Sequence, residues 1–439
     1  MLTFDFLDAR HGDCFLVRWD AERDGRGPEG GQGPGDGRGP DGERVMLVDG
    51  GPSPVYRASL QGRLHRLTGP DGDRARPGGQ DRDGDPPAHD PPRDGLPPHL
   101  DVVCLSHVDD DHAGGLVRLF RDMRQAQHDG EALPYDVDAL WFNSVEELVD
   151  RHVPGLSASV HPLLEHAAAS EAAVTASYNQ GRDIRDAAVA LRLDGNAPFG
   201  GPLTEGAEAT LHDLDVTVVA PDEGALAELA EKWHEARRRG DPEVISAAYA
   251  DDSVPNLSSI VLLLRHADGT ALLTGDARGD HVLAGLRALD LLDDAAPFHV
   301  DLLKLPHHGS ERNVEPDFFE RIRADHYVIS ADGVRHHHPG EDTLRWLVES
   351  RAPEDEYVVH LTNHIPFAEE ALAELRADRA FEVEVRGPAD QALVITMGAV
   401  SKTIPRPPEK KGTSIPPLRL KKKKNSKYIQ HIKTRKVQK

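Results

Sequence analysis

Short apolar runs rich in β-branched and aromatic residues recur along the chain, separated by longer stretches whose apolar positions fall three and four apart. Phe4–Leu7, Cys14–Trp19, Val45–Val48 and Val102–Leu105 predict four strands. Residues 21–43 and 69–98 interrupt them with Gly, Pro, Asp and Arg and almost nothing to bury, so both stretches read as disordered loop insertions. With these set aside the four strands follow closely, as at the opening of a sheet. Leu116–Gln127 has helical spacing, Ala139–Phe142 reads as strand, and Pro162–Leu193 reads as one or two Ala-rich helices. Residues 222–239 run from Asp222 and Glu223 to Arg237, Arg238 and Arg239, the order that a helix dipole favours, so about 144–240 reads as a helical insertion. Strands follow at Ile260–Leu264, Ala271–Leu273 and His299–Leu303, with a helix near His281–Leu289. Strand and helix then alternate through Tyr327–Ser330, Thr343–Ser350, Tyr357–Leu361, Ala368–Ala377 and Ala392–Thr396. There is no long internal repeat. The pattern predicts α/β sheets covered by helices in one domain spanning 1–400.

Composition narrows the class. No stretch approaches the roughly 18 apolar residues of a membrane helix, and Met1-Leu2-Thr3-Phe4-Asp5 begins like a strand rather than a signal peptide, which predicts a soluble protein without membrane insertion. Cys14 and Cys104, each inside an apolar run, exclude a disulfide framework and a cysteine zinc knuckle and suit a reducing cytoplasm. Residues 401–439 carry 14 Lys and Arg against the single acid Glu409, so the net charge of −24 divides into +13 there and −37 over 1–400. An acidic body argues against broad, sequence-independent nucleic-acid binding, which needs Lys and Arg patches. The tail, with Lys421 to Lys424 in succession, reads as a disordered solubilising end or residues of a different origin, or else as a grip on phosphates or anionic lipid.

Chemistry concentrates where strands end. Directly after Val102-Val103-Cys104-Leu105-Ser106 come His107, Asp109, Asp111 and His112, then Gly114-Gly115 and a helix. Imidazoles and carboxylates alternating in so tight a loop converge on a cation, and this mixture suits Zn²⁺ or Mn²⁺. Asp276 ends the run Ala271-Leu272-Leu273, where its carboxylate can bridge two cations about 3.5–4 Å apart. Asp49, also at a strand end, reads as an acid orienting a ligand imidazole or as a polar turn residue before Gly50-Gly51, and Asp13 is similarly open.

His107 to His112 resembles the H-x-H-x-D-H signature of the metallo-β-lactamase superfamily, with Asp109 where the second His usually stands. Further segments fall in the order found in the hydrolase domain of ComEC-type DNA-uptake proteins. Leu7 to Cys14 resembles L-D-V-G-Q-G-D-S, Leu47-Val48-Asp49-Gly50-Gly51 resembles L-I-D-G-G, and Thr274-Gly275-Asp276 matches T-G-D. Leu303 to Ser310 matches L-K-V-P-H-H-G-S, and Ser330 through His338-Pro339 resembles S-x-G through H-P. The resemblance spans roughly residues 2–396 and implies a four-layer αβ/βα sandwich of the metallo-β-lactamase fold. It implies two divalent ions, Zn²⁺ or Mn²⁺, on His107, Asp109, Asp111, His112, Asp276 and His308, with His307 the lesser candidate beside His308.

In much of the superfamily a His precedes the hairpin leading into T-G-D; Asn256 stands near that place here, a poorer ligand whose amide suits a substrate oxygen or a water. An oxygen-rich site shifts preference towards harder ions such as Mn²⁺. The ComEC-type domains share this version. The expected reaction is attack by a metal-activated water, with Asp111 orienting it and His338 or Lys304 serving the leaving group. Lys304 also reads as a strand-end lysine reaching water, and His338 as one of three neighbouring solvent histidines. The resemblance implies a phosphodiesterase or nuclease acting on DNA or another phosphodiester. Hydrolysis of a small ester, lactone or thioester, or a low-activity metal-binding regulatory module, are the other readings, since fold alone does not separate them.

Overall fold

The computed structural model describes residues 1–20, 42–67, 97–144, 172–224, 226, 227, 231, 234, 238 and 258–398. The chain divides into two units, Met1–Val400 and Ser401–Lys439, the second of which lies wholly outside the described residues. So do nearly all of the two loop insertions, much of 144–240, and Asn256.

Fifteen strands among the described residues build two mixed sheets. The first has the order β15-β1-β2-β3-β4-β5-β6, formed by Ala392–Met397, Leu2–Leu7, Phe15–Asp20, Glu43–Val48, His99–Cys104, Asp136–Trp141 and Asp194–Gly195. It is antiparallel from β15 to β3 and parallel from β3 to β6. The second has the order β14-β13-β12-β11-β10-β9-β8-β7. Its strands are Glu382–Val385, Val358–Leu361, Ile322–Ile329, Phe298–Lys304, Gly269–Leu273, Val261–His266, Leu214–Ala220 and Glu208–Leu211. Here β14 to β10 are parallel and β10 to β7 antiparallel. Parallel neighbours need crossovers, and helices supply them.

Alternation along each strand assigns residues to layers. Phe4, Trp19, Val102 and Trp141 of the first sheet meet Val216, Leu262 and Leu302 of the second in a shared core. Leu47 and Val103 face the other way, onto Leu116 and Phe120 of α2 (Asp110–Asp129) and Leu64 of α1 (Gln61–Leu67). Ile184 of α3 (Ala172–Leu191) joins that outer core. On the far side Leu272, Leu303 and Ile329 pack against α4 (Gly279–Ala288), α5 (Pro316–Arg321), α6 (Glu341–Glu349) and α7 (Pro366–Leu375). Two sheets lie between helices, as expected of a sandwich. No helix among the described residues is long and apolar enough to cross a membrane.

Two expectations change. Residues 194–220 were expected within a helical insertion, yet they form β6, which extends the first sheet, and the β7–β8 hairpin, which edges the second. Glu43, expected in a disordered loop, begins β3 opposite Asp20, and Pro98 is buried with its carbonyl accepting from the Asp136 N–H at 2.9 Å.

A buried ion network fastens the antiparallel end. Asp5 on β1 is fully buried and accepts from Arg18 on β2 at 3.1 Å and Arg63 on α1 at 2.8 Å, while Arg18 also donates to Glu43 at 2.8 Å. Removing one partner from such a network strands buried charge. Asp5→Ala should destabilise the fold by about 3–5 kcal/mol; a urea titration checks this as a lower midpoint at unchanged slope.

Candidate metal centre

Loops after the carboxyl ends of β3, β4, β10, β11 and β12 meet at one edge of the two sheets, where ligand sites gather in α/β folds. The hydrogen-bond frame is local. Asp49, at φ 56°, follows β3 and gives its N–H to Cys104 O at 2.8 Å, tying the ends of β3 and β4 together. Gly115 at the start of α2 and Gly50 after β3 approach so closely that a Cβ on Gly115 would stand 1.9 Å from Gly50 O. A Cβ on Gly12 would likewise stand 1.9 Å from Asp111 O, so both glycines are required by contact rather than by turn geometry. After β11, Pro306–Gly309 forms a tight turn in which His307 and His308 both take positive φ, at 46° and 58°. Such left-handed non-glycine residues cost on the order of 1–3 kcal/mol each and gather at functional sites.

The side chains converge. His112 Nε2 lies 3.2 Å from Asp276 Oδ1 and 3.3 Å from His308 Nε2, and His308 Nε2 lies 3.5 Å from the same oxygen. His107 Nε2 is 3.8 Å from Asp276 Oδ2 and 3.7 Å from Asp109; His307 Nε2 is 3.5 Å from Asp276 Oδ2; Asp111 is 3.7 Å from His308 Nε2. All six residues expected as ligands therefore stand in one group, and His307 stands with them. Asp276 Oδ1 and His107 Nε2 are buried without a hydrogen bond, although nearly every buried polar atom has one. The buried Asp13, His112, Asp276 and His308 can hold a metal ion.

A second layer fixes the rings. His112 Nδ1 faces Asp49 Oδ2 at 2.7 Å, and Asp49 also accepts from the Ser106 N–H and hydroxyl, both at 2.7 Å. His308 Nδ1 faces Ser330 O at 2.9 Å and Asp13 Oδ1 at 3.3 Å. Asp13 and Asp49 thus lie on the Nδ1 sides, opposite the convergent Nε2 atoms, as partners that orient metal-binding imidazoles do. Ser259 accepts from the Asp276 N–H on its hydroxyl oxygen at 3.0 Å, which ties the Asp276 loop to the start of β9. Ser106 and Ser330 stand in the segments that the sequence analysis quotes, but their hydrogen-bonding roles carry no local signal.

Lys304 is not at the surface. It is fully buried, ion-paired with Asp13 and donating to Gly275 O at 3.1 Å, so its ammonium serves as an internal counter-charge. That placement keeps it from a leaving group. Burial opposes charge on His112 and His308, but Asp276 with Asp49, and Asp276 with Asp13, outweigh it and hold both rings well above the ordinary histidine range. Burial and the neighbouring His112 push His107 down to about 3. Burial would raise the Asp276 carboxyl, yet His308, His112 and His307 hold it well below the usual range.

The centre opens beside a cleft of about 990 Å³ lined by Arg278, His307, Arg312, Asn313, His336 and His338, among others. His338 stacks against His308 with ring centres 6.4 Å apart, and burial together with His307 and His308 lowers it to about 4. The ring is neutral near pH 7.

No family model matches the chain. Short segments are similar to microtubule-associated protein 1A, 39% identical over 57 residues in Homo sapiens and 38% over 56 residues in Rattus norvegicus and Mus musculus. Each covers 13% of this chain, and the chain spans 2% of the length of those relatives. A protein of unknown function from Enterococcus faecalis V583 aligns over 89% of this chain and 78% of its own, at 13% identity and a TM-score of 0.27.

Replacing Asp49 by Ala would remove the acceptor that sets the His112 ring. Metal affinity should then fall by about 10–100-fold, as for other partners of ligand histidines. Chelator competition with Zn²⁺ and Mn²⁺ on both proteins reads this, and an unchanged affinity removes Asp49 from the centre.

Proposed function

We propose that the chain is a metal-dependent phosphodiesterase of the metallo-β-lactamase fold, related to the hydrolase domain of ComEC-type proteins. The observation that carries this reading is the convergence of three imidazole Nε2 atoms on the Asp276 carboxylate, with buried atoms of His107 and Asp276 left without hydrogen bonds. That donor set fits divalent metal: histidine nitrogens and carboxylate oxygens suit Zn²⁺ or Mn²⁺. His107, Asp109, Asp111, His112, Asp276 and His308 would hold two ions, with His307 in reach of Asp276. When bound, the ions supply Lewis acidity and a nucleophilic water at neutral pH.

The chain's own residues do the rest. Asp49 and Asp13 keep Nδ1 of His112 and His308 engaged, so Nε2 is presented inward. Asp111 orients the attacking water from the first turn of α2. His338, neutral, gives its ring N–H to a phosphoryl or leaving oxygen in the cleft. Arg278 and Arg312 line the same cleft beside Glu311, Glu341 and Asp342. This mixed lining suits one phosphodiester group at a time rather than a long polyanion track, in keeping with the acidic body. Cys14 and Cys104, both free and buried, accord with a cytoplasmic setting.

Metal-stripped protein resupplied with Mn²⁺, Zn²⁺ or Mg²⁺ should cleave a bis-aryl phosphodiester and short DNA or RNA but not a lactone; lactone cleavage alone would replace this reading. Asp276→Asn should lower both metal content and kcat, because the charge shared between ligand positions is gone. Two bound ions and near-normal turnover in that variant would sink the mechanism. His338→Ala should cut kcat by about 10²-fold with metal retained, as loss of a transition-state hydrogen bond does. His338→Gln should recover part of it, since an amide N–H replaces the ring N–H; equal loss in both variants would make His338 a proton carrier instead.

A further inference from the structure

The opposite end of the first sheet holds another His and carboxylate group. His99 and Asp101 begin β4, Asp136 and Asp138 begin β5, and the parallel register sets His99 beside Asp136. Five residues of extended strand, on the order of 17 Å, separate His99 from the end of β4 and hence from the centre described above. We infer that His99, Asp101 and Asp138 form a second metal site, for one divalent transition ion of the Zn²⁺ class, that clamps the starts of β4 and β5 together.

Four observations support it. The His99 side chain is 7% exposed, yet its Nε2 is buried without a hydrogen bond. That atom lies 3.4 Å from Asp138 Oδ2 and 3.7 Å from Asp101 Oδ1. Ligands bound at 2.0–2.1 Å in a tetrahedral zinc site stand about 3.4 Å apart, so both separations from Nε2 are close to the spacing that an ion requires, and all three ligand atoms lie within 4.8 Å of one another. The other ring nitrogen, Nδ1, faces Asp136 Oδ2 at 2.9 Å, the carboxylate and histidine arrangement that orients a ligand ring.

Charge points the same way. Asp101 is held by Arg44 at 2.8 Å and by the Val45 N–H at 2.8 Å, which orient its carboxylate while each oxygen keeps a further lone pair. Asp101, Asp136 and Asp138 thus set three carboxylates around one imidazole, a nitrogen and oxygen donor set that suits a divalent transition ion. The Asp138 side chain is 58% exposed, so an ion enters directly from solvent and keeps a water in its fourth position.

The test uses the full chain, stripped with chelator and re-equilibrated with Zn²⁺ at micromolar free concentration. Wild type should hold one more equivalent by elemental analysis than His99→Ala. Asp138→Asn, a near-isosteric change at a side chain 58% exposed, should weaken that equivalent on the order of tenfold or more in chelator competition. In an Asp276→Asn background one equivalent should persist and vanish when His99→Ala is added, which separates this site from the Asp276 centre. Equal zinc content and affinity in wild type and Asp138→Asn would overturn the inference and leave a protonated His99 among carboxylates. Should His99→Ala not fold, Asp138→Asn alone decides.

Discussion

A carboxylate buried away from water needs positive charge within reach, and Asp276 meets that need through imidazoles delivered from two separate segments, His112 at the start of α2 and His308 in the turn after β11. Everything at this edge of the molecule follows from holding those loops in place. The tie between Asp49 and Cys104 fixes β3 against β4, the contact of Gly50 with Gly115 seats α2, and the strained turn at His307 and His308 aims the second sheet's contribution inward. Lys304 performs the same service one layer deeper, pairing with the buried Asp13. The site is thus a nested arrangement, with each negative group partnered by the next layer out.

Much of this was legible in the sequence because the residues concerned sit at strand ends, where an apolar run stops abruptly at a His or Asp. His107 to His112, Thr274 to Asp276 and Leu303 to Ser310 all carry that signature, and the structure brings their ionisable members together. Less legible was whatever depends on contacts between distant segments. The depth of Lys304 is set by Asp13, nearly three hundred positions earlier, so no local pattern distinguishes it from a lysine reaching solvent. The β7–β8 hairpin was missed because Glu208–Leu211 alternates too briefly to announce a strand and gains its identity only by pairing with β8. Likewise α1 offers only Leu64 and Leu67 as apolar anchors, and its Arg63 is buried because it pairs with Asp5. The β14 strand, Glu382–Val385, alternates charge with valine at a sheet edge, which reads as loop until its partner is known.

The strand β4 connects the two metal readings. Its carboxyl end delivers His107 and the start of α2, while its amino end holds His99 and Asp101. A strand whose interior is apolar on both faces transmits little electrostatics but much geometry, since Leu100, Val102 and Val103 are packed on both sides and the strand moves only as a whole. Anchoring its beginning therefore steadies its end.

The pairing of β1 with β15 has a consequence for how the molecule comes into being. Leu2 lies opposite Met397 and Leu7 opposite Ala392, so one edge of the second strand position in the first sheet stays open until nearly the whole body has been synthesised. Closing so long a loop is entropically slow, and an exposed strand edge invites wrong partners in the interval. Every other pairing among the described strands joins neighbours consecutive in sequence, so the union of β1 with β15 is the one that must wait, and a growing chain stopped before residue 392 would display β1 without that neighbour.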